Sequence, residues 1–286
     1  MMKEKNYGFL FTLPAIVLFI VVLGIPVIMT VINSFTPLWA GDYSSFTLAN
    51  YARLTKDSAF RTTFSNTLIF VSFTVGFHLI LGMIVALALN TDIRFIRFFR
   101  VVAILPWTIP DSVSGLIWRF LFDPMHGAIN QMLMLFNLIQ EPIEWLSVPG
   151  LSLPSVIFAD VWRGYPFVML ILLAGMQSIP EDLYEAAKVD GASAVRKFVH
   201  ITIPQLQTII VIALALDTVW QFRRFGLIYT MTGGGPGRQT EILATLVQKQ
   251  YFEFFNFEYA AAMALFTALV MLVITLPYVR IMVRGN

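Results

Sequence analysis

Cysteine is missing altogether from the 286 residues, which excludes disulfides, thiol catalysis and thiolate metal sites. Charge is scarce as well. Asp, Glu, Lys and Arg make up 13% of the chain, against about a quarter in soluble domains. Only three histidines are present, His78, His126 and His200. They fall at different predicted depths and none has a second ligand at metal spacing, so neither a metal site nor a catalytic triad is expected. There is no low-complexity tract, no clear internal repeat and no soluble domain of any size. The glycine run TGGGPG at 232–237 lacks the Lys-Ser or Lys-Thr of a phosphate-binding loop and reads as a tight outer turn. Any nucleotide-binding or catalytic domain therefore belongs to another chain; this one is expected to be no enzyme, to hold no cofactor and to bind no nucleic acid.

What the chain has instead is apolar surface, 58% hydrophobic residues with 26 Phe among them, far more than one core requires. The reading is an all-α polytopic membrane protein. With about 20 apolar residues needed per crossing, six spans are predicted at about 9–33, 64–89, 101–122, 153–176, 205–222 and 257–279. The first is too long for a signal-peptide core and lacks a small-residue cleavage site, so it reads as a retained span. The third, containing LPWTIPDSVSGLIW, carries two prolines and an aspartate. A short interfacial amphipathic helix is expected around Ala128 to Leu138. Positive residues set the orientation. Lys3, Lys5, Arg94, Arg97, Arg100, Lys188, Arg196, Lys197, Arg280 and Arg284 crowd the short connections on one side, while the longer loops opposite are sparser in Lys and Arg. Both termini are thereby assigned to the cytoplasm. The Arg223–Arg224 pair runs against this scheme.

Between the fourth and fifth apolar runs lies YEAAKVDGASAVRKFVHITIPQL, 184–206, a charged insert where a plain turn would suffice. Ser178 stands three before Glu181 at capping-box spacing, Gly191 suits a helix end, Ser193 suits the cap of a second short helix, and Pro204 marks re-entry to the membrane. Two short helices over about 180–201 are expected at the cytoplasmic surface. Two readings stand for the small Ala186 and Ala187: close packing on the bundle, or close approach by a cytoplasmic partner.

Glu185-Ala186-Ala187, then Gly191, then Ile201-Thr202-Ile203-Pro204 resembles the EAA loop of bacterial importer permeases of the ATP-binding cassette class, with Ile203 where the family usually has Leu. The stretches 104–130 (ILPWTIPDSVSGLIWRFLFDPMHGAIN) and 231–265 (MTGGGPGRQTEILATLVQKQYFEFFNFEYAAAMAL) are similar to the carbohydrate-uptake branch. The second is typical of the permease akin to the first, longer one of the maltose pair. The resemblance spans nearly the whole chain and implies a single type I permease domain in the bacterial inner membrane. It implies a second homologous permease, an ATPase dimer carrying ATP and Mg2+, an extracytoplasmic solute-binding protein and a sugar as cargo. Glu185, Ala186, Ala187, Asp190, Gly191 and Pro204 would form the coupling surface.

A polar solute needs polar groups at mid-depth. Asp217, Trp220 and Gln221 share one helix face and join an aromatic ring to a carboxylate and an amide; Asn66 is a further candidate. The plainer alternative pairs Asp217 with Arg223 or Arg224 and leaves Asn66 as a cap. His78 reads as a helix-to-helix hydrogen bond, and Asp160, Trp162 and Arg163 as an interfacial anchor. Glycerol 3-phosphate or its diesters is the alternative cargo, and an ion-coupled carrier the alternative class.

Overall fold

The computed structural model describes residues 2–37 and 45–284. In chain order the helices are α1 (Met2–Phe19), a π turn (Ile20–Gly24), α2 (Ile25–Ser34), α3 (Ala49–Lys56), α4 (Ser58–Leu89), α5 (Ile96–Thr108), α6 (Asp111–Leu121) and α7 (Ala128–Leu135). They continue with α8 (Ser152–Gln177), α9 (Glu181–Val189), α10 (Ala194–Lys197), a second π turn (Phe198–Thr202), α11 (Ile203–Phe222), α12 (Gly226–Thr232), α13 (Leu243–Phe252) and α14 (Phe257–Arg284). Five stretches are long and apolar enough to cross a membrane: Phe11–Ser34, Ser58–Leu89, Ser152–Gln177, Ala194–Phe222 and Phe257–Ile281. The pair α5 and α6 supplies a sixth crossing when taken as one broken span.

The third span, expected at about 101–122 with two prolines and an aspartate inside it, is two helices rather than one. Its halves bend by 96° at Ile109–Pro110. Pro110 has no amide hydrogen and pushes the preceding residue out of the helical region, and Ile109 accordingly has ψ 131. Span two begins at Ser58, earlier than predicted, because Asp57 Oδ1 accepts the Ala59 and Phe60 amides at 2.8 and 3.4 Å and starts the helix in polar sequence.

The predicted stop at Pro204 is also corrected. The helix runs on through it, because the π turn just before it relays the Ile203 amide to Phe198 O and widens the backbone where the proline ring would otherwise clash. Pro26 sits at the same offset after the first π turn. The predicted Ser178–Glu181 capping box is absent; Ser178 Oγ instead donates to Gly175 O at 2.8 Å, and Pro180 occupies the cap position without a side-chain bond.

The chain divides into two compact units, Met1–Arg61 with Leu246–Leu269, and Thr62–Thr245 with Val270–Asn286. In the first, none of the apolar window of Phe11–Ser34 is buried. The end of α2 is tied to α3 by Asn50 Nδ2, which donates to Ser34 O and Thr36 O at 3.0 and 2.9 Å. Tyr259 Oη donates to Asp57 Oδ2 at 2.7 Å, with the Arg53 guanidinium 4.0 Å over its ring.

The second unit holds two apolar clusters. One gathers Phe70, Val75, Trp118, Ala159, Phe222 and Ile228; the other gathers Met83, Ala86, Val168, Leu172, Leu206 and Ala213. Between lipid-embedded helices close fit and dispersion, rather than exclusion of water, hold such clusters. The helices α4, α8 and α11 pass through both. Each carries polar residues between the clusters: His78 on α4, Asp160 and Arg163 on α8, Asp217 and Gln221 on α11. The break between α5 and α6 falls between the clusters as well.

Candidate functional site

This polar layer is a connected network. His78 Nδ1 lies 2.8 Å from Asp217 Oδ2 and Nε2 lies 3.1 Å from Asp160 O, so the ring joins α4 to α8 and α11. Both partners are acceptors, which the imidazolium form serves at once. The ring packs on Gly164, where a Cβ would overlap it. Gln221 Nε2 donates to Asp217 Oδ1 at 2.9 Å, and Arg224 Nε donates to Gln221 Oε1 at 3.2 Å. The same Arg224 nitrogen lies 2.8 Å from Asp160 Oδ1, while its Nη1 donates to Asp111 Oδ1 at 2.9 Å. Arg163 reaches that Asp111 oxygen at 2.6 Å and donates from Nε to Ile109 O at 3.2 Å. One arginine thus serves both lips of the broken span: the carbonyl of Ile109, the last residue before the break, and the first residue of α6.

Asp160 and His78 are fully buried. Ions so placed are tolerated only in pairs, and removing one partner costs about 3–5 kcal/mol. Three carboxylates (Asp111, Asp160, Asp217) face two guanidiniums and one imidazole. No donor among the described residues is aligned on either Asp160 side-chain oxygen, so charge alone holds that group. Asp160 and Arg163 are therefore not the interfacial anchor expected; Arg163 is the twelfth of the 26 residues of α8, near its centre.

A cavity of about 400 Å³ opens beside the network, lined by Trp107, Asp111, Arg163, Gly164, Phe167, Asp217, Trp220, Arg223 and Arg224. That is the lower part of the ~300–1,000 Å³ of small-molecule sites. One wall is aromatic: Phe167 lies 4.3 Å from Trp220 and 6.0 Å from Trp107 between ring centroids. Asp217 and Trp220 line this cavity, Trp220 staying 40% exposed; Gln221 is buried outside the lining and reaches it only through its bond to Asp217. Asp217 is engaged by His78 and Gln221 rather than by either neighbouring arginine. Asn66 is not part of this group. Its Nδ2 donates to Arg238 O and Glu241 O at 2.8 and 3.1 Å, anchoring the end of the glycine-rich turn. In that turn Gly233, Gly234 and Gly237 have positive φ, as its tight path requires.

Asp111 and Arg224 were the residues that sequence reasoning missed as a pair. Each is an ionisable group next to an apolar run, but they stand 113 positions apart. A second cavity of about 410 Å³ lies between Asp123, Pro124, Thr232 and Pro236. There the amides of His126 and Met125 donate to Asp123 Oδ1 and hold its carboxyl below the usual range. Among the described residues no group of His, Cys, Asp and Glu is placed to hold a metal ion.

At the other end of α11 stands the bent insert. Glu185, Ala186 and Asp190 are exposed and Ala187 is partly so. Gly191 takes φ +72, its amide donates to Lys188 O at 3.0 Å, and the Ala192 amide donates to Ala187 O at 2.9 Å. This paired closure is the Schellman motif. Ser193 Oγ accepts the Arg196 amide at 3.3 Å, as the sequence predicts. Tyr184 Oη and Thr202 Oγ1, 2.9 Å apart, tie α9 to the π turn that leads into α11.

Residues 78–284 match the family described as the binding-protein-dependent transport system inner membrane component. The chain belongs to that family. It is a permease subunit of an importer of the ATP-binding cassette class and, as such, not itself an enzyme. It is 31% identical to the trehalose/maltose transport system permease of Thermococcus litoralis over 98% of this chain and 94% of that one. It is 33% identical to the sulfoquinovosyl glycerol transport system permease of Agrobacterium fabrum over 97% and 91%. In fold it is similar to a chain of a bacterial ABC transporter that imports the acidic polysaccharide alginate. There the TM-score is 0.84 at 22% identity, covering 99% of this chain and 97% of that one.

Proposed function

We propose that the chain is one permease half of an ATP-driven sugar importer of the carbohydrate-uptake branch, akin to the first permease of the maltose pair. It acts as a single permease domain in a bacterial inner membrane, with both termini and the α9–α10 insert in the cytoplasm. A similar second permease completes the route, an ATPase dimer burns ATP, and an extracytoplasmic binding protein delivers the solute.

The observation that carries this reading is the construction of the insert. None of the side chains of α9 and α10 is buried, and Val189 and Val195 are 88% and 72% exposed. A bent element closed by a Schellman turn, with Glu185, Ala186 and Ala187 outward, is shaped to seat in a partner's groove. Its tie through Tyr184 and Thr202 leads into α11, a rigid rod of 20 residues, or about 30 Å. Near the far end of that rod are Asp217, Trp220 and Gln221. Displacement of the insert by ATPase closure thereby reaches the polar layer and the cavity.

The aromatic wall suits the apolar face of a sugar ring, and relatives named for sugar transport support that cargo. Glycerol 3-phosphate or its diesters is the second reading, favoured by Arg223 in the cavity lining. An ion-coupled carrier does not describe this family.

The test is co-purification of the ATPase with the Glu185→Trp, Gly191→Val double variant. Association and ATP-dependent uptake are expected to be lost while the spans stay folded. Retention of both overturns the coupling assignment.

A further inference from the structure

Among the described residues, every charged group lining the cavity but one has a counter-charge. Asp111 is shared by Arg163 and Arg224, Asp217 is held by His78, and Arg224 also faces Asp160. Arg223 stands apart: it lines the same cavity, is exposed, and is the C-terminal cap residue of α11, with no side-chain partner among the described residues. The Arg223–Arg224 pair also sits where positive-charge asymmetry disfavours it. Burial among carboxylates accounts for Arg224, whereas Arg223 has only the C-terminal dipole of α11 to face and no side-chain counter-charge among the described residues. Three residues before it is Trp220, partly exposed beside Phe167.

We infer that the cargo is an acidic sugar, whose carboxylate or sulfonate is taken by Arg223 while its ring lies on Trp220. A guanidinium offers a planar fork that matches two oxygens of such a group at once, which an ammonium cannot do. Among the described residues the neutralised layer behind supplies no competing free cation, so discrimination between acidic and neutral sugars falls on this one residue. This inference rests on the sugar-importer reading and narrows it.

The test uses the whole transporter, both permeases with ATPase and receptor, reconstituted in vesicles. The probes are glucuronate and glucose as a matched pair, and maltose with a singly oxidised maltose as another. Uptake of the acidic member is expected to exceed that of the neutral one, and Arg223→Gln to reduce acidic uptake by about tenfold or more while sparing neutral uptake, the size expected for a lost charge-assisted hydrogen bond. Arg223→Lys is expected to recover part of the loss. Neutral uptake that exceeds acidic uptake and ignores Arg223→Gln overturns the inference and leaves the sugar reading standing. An equal fall for both members also overturns it, since Arg223 then serves assembly or a lipid headgroup. Uptake of neither class by a complex that still hydrolyses ATP overturns the sugar reading itself.

Discussion

The bent insert and the polar layer sit at opposite ends of α11 and are built by opposite means. The insert takes its shape from backbone: a positive-φ glycine, two capping bonds and one hydroxyl tie, with every side chain of α9 and α10 at least partly open. The layer takes its shape from side-chain charge contributed by α4, α6, α8 and the end of α11, with His78 and Asp160 wholly enclosed. A locally determined shape survives substitution of its surface. A charge network spread over distant segments stands or falls with each member.

If that contrast is right, the largest effect falls on the layer. Arg224→Ala strands Asp160 and is expected to cost about 3–5 kcal/mol, read as a lower unfolding temperature of the detergent-solubilised complex. Adding Asp160→Asn should return part of it. A loss no greater than that of a surface change in α9 would break the comparison. Next comes Gly164→Ala, whose Cβ would overlap the His78 ring; overpacking of this kind costs about 1–3 kcal/mol. Gly76→Ala, where a Cβ meets nothing within 4 Å, is the control and should unfold like the parent. The smallest effect is expected in the insert. Tyr184→Phe loses one hydrogen bond, about 0.5–1.5 kcal/mol, and should scarcely move the unfolding temperature while lowering solute moved per ATP hydrolysed. An unchanged ratio of uptake to hydrolysis would remove the hydroxyl tie from the coupling route.

The same contrast governs what could be read from sequence. The apolar runs, the Gly191 helix end and the Ser193 cap were legible because each depends on residues within a turn or a span of one another. His78 was legible as an interhelical bond because a histidine in such a run has few other uses. The partners were not. Asp160 and Arg163 looked interfacial since their helix begins in mixed sequence, and only the bundle shows that Asp111 and Arg224 neutralise them from other segments. The 96° break was foreshadowed by Pro110, but not the Arg163 hydrogen bond to the Ile109 carbonyl, which comes from a helix 54 positions on. The helix through Pro204 was missed because hydropathy carries no record of a wide turn.

Those wide turns have a consequence for how the sequence can change. Each accommodates one residue beyond an ordinary turn, and one residue corresponds to about 100° of rotation around the axis. The π turn at Phe198–Thr202 is therefore a slack link: deleting one residue there would leave an ordinary turn and keep the faces of α11 nearly where they are. The same deletion within the regular turns of α11 would swing Asp217 and Trp220 a quarter-circle or more away from the imidazole and the aromatic wall, so length is constrained more tightly in the body of this helix than at its wide turn.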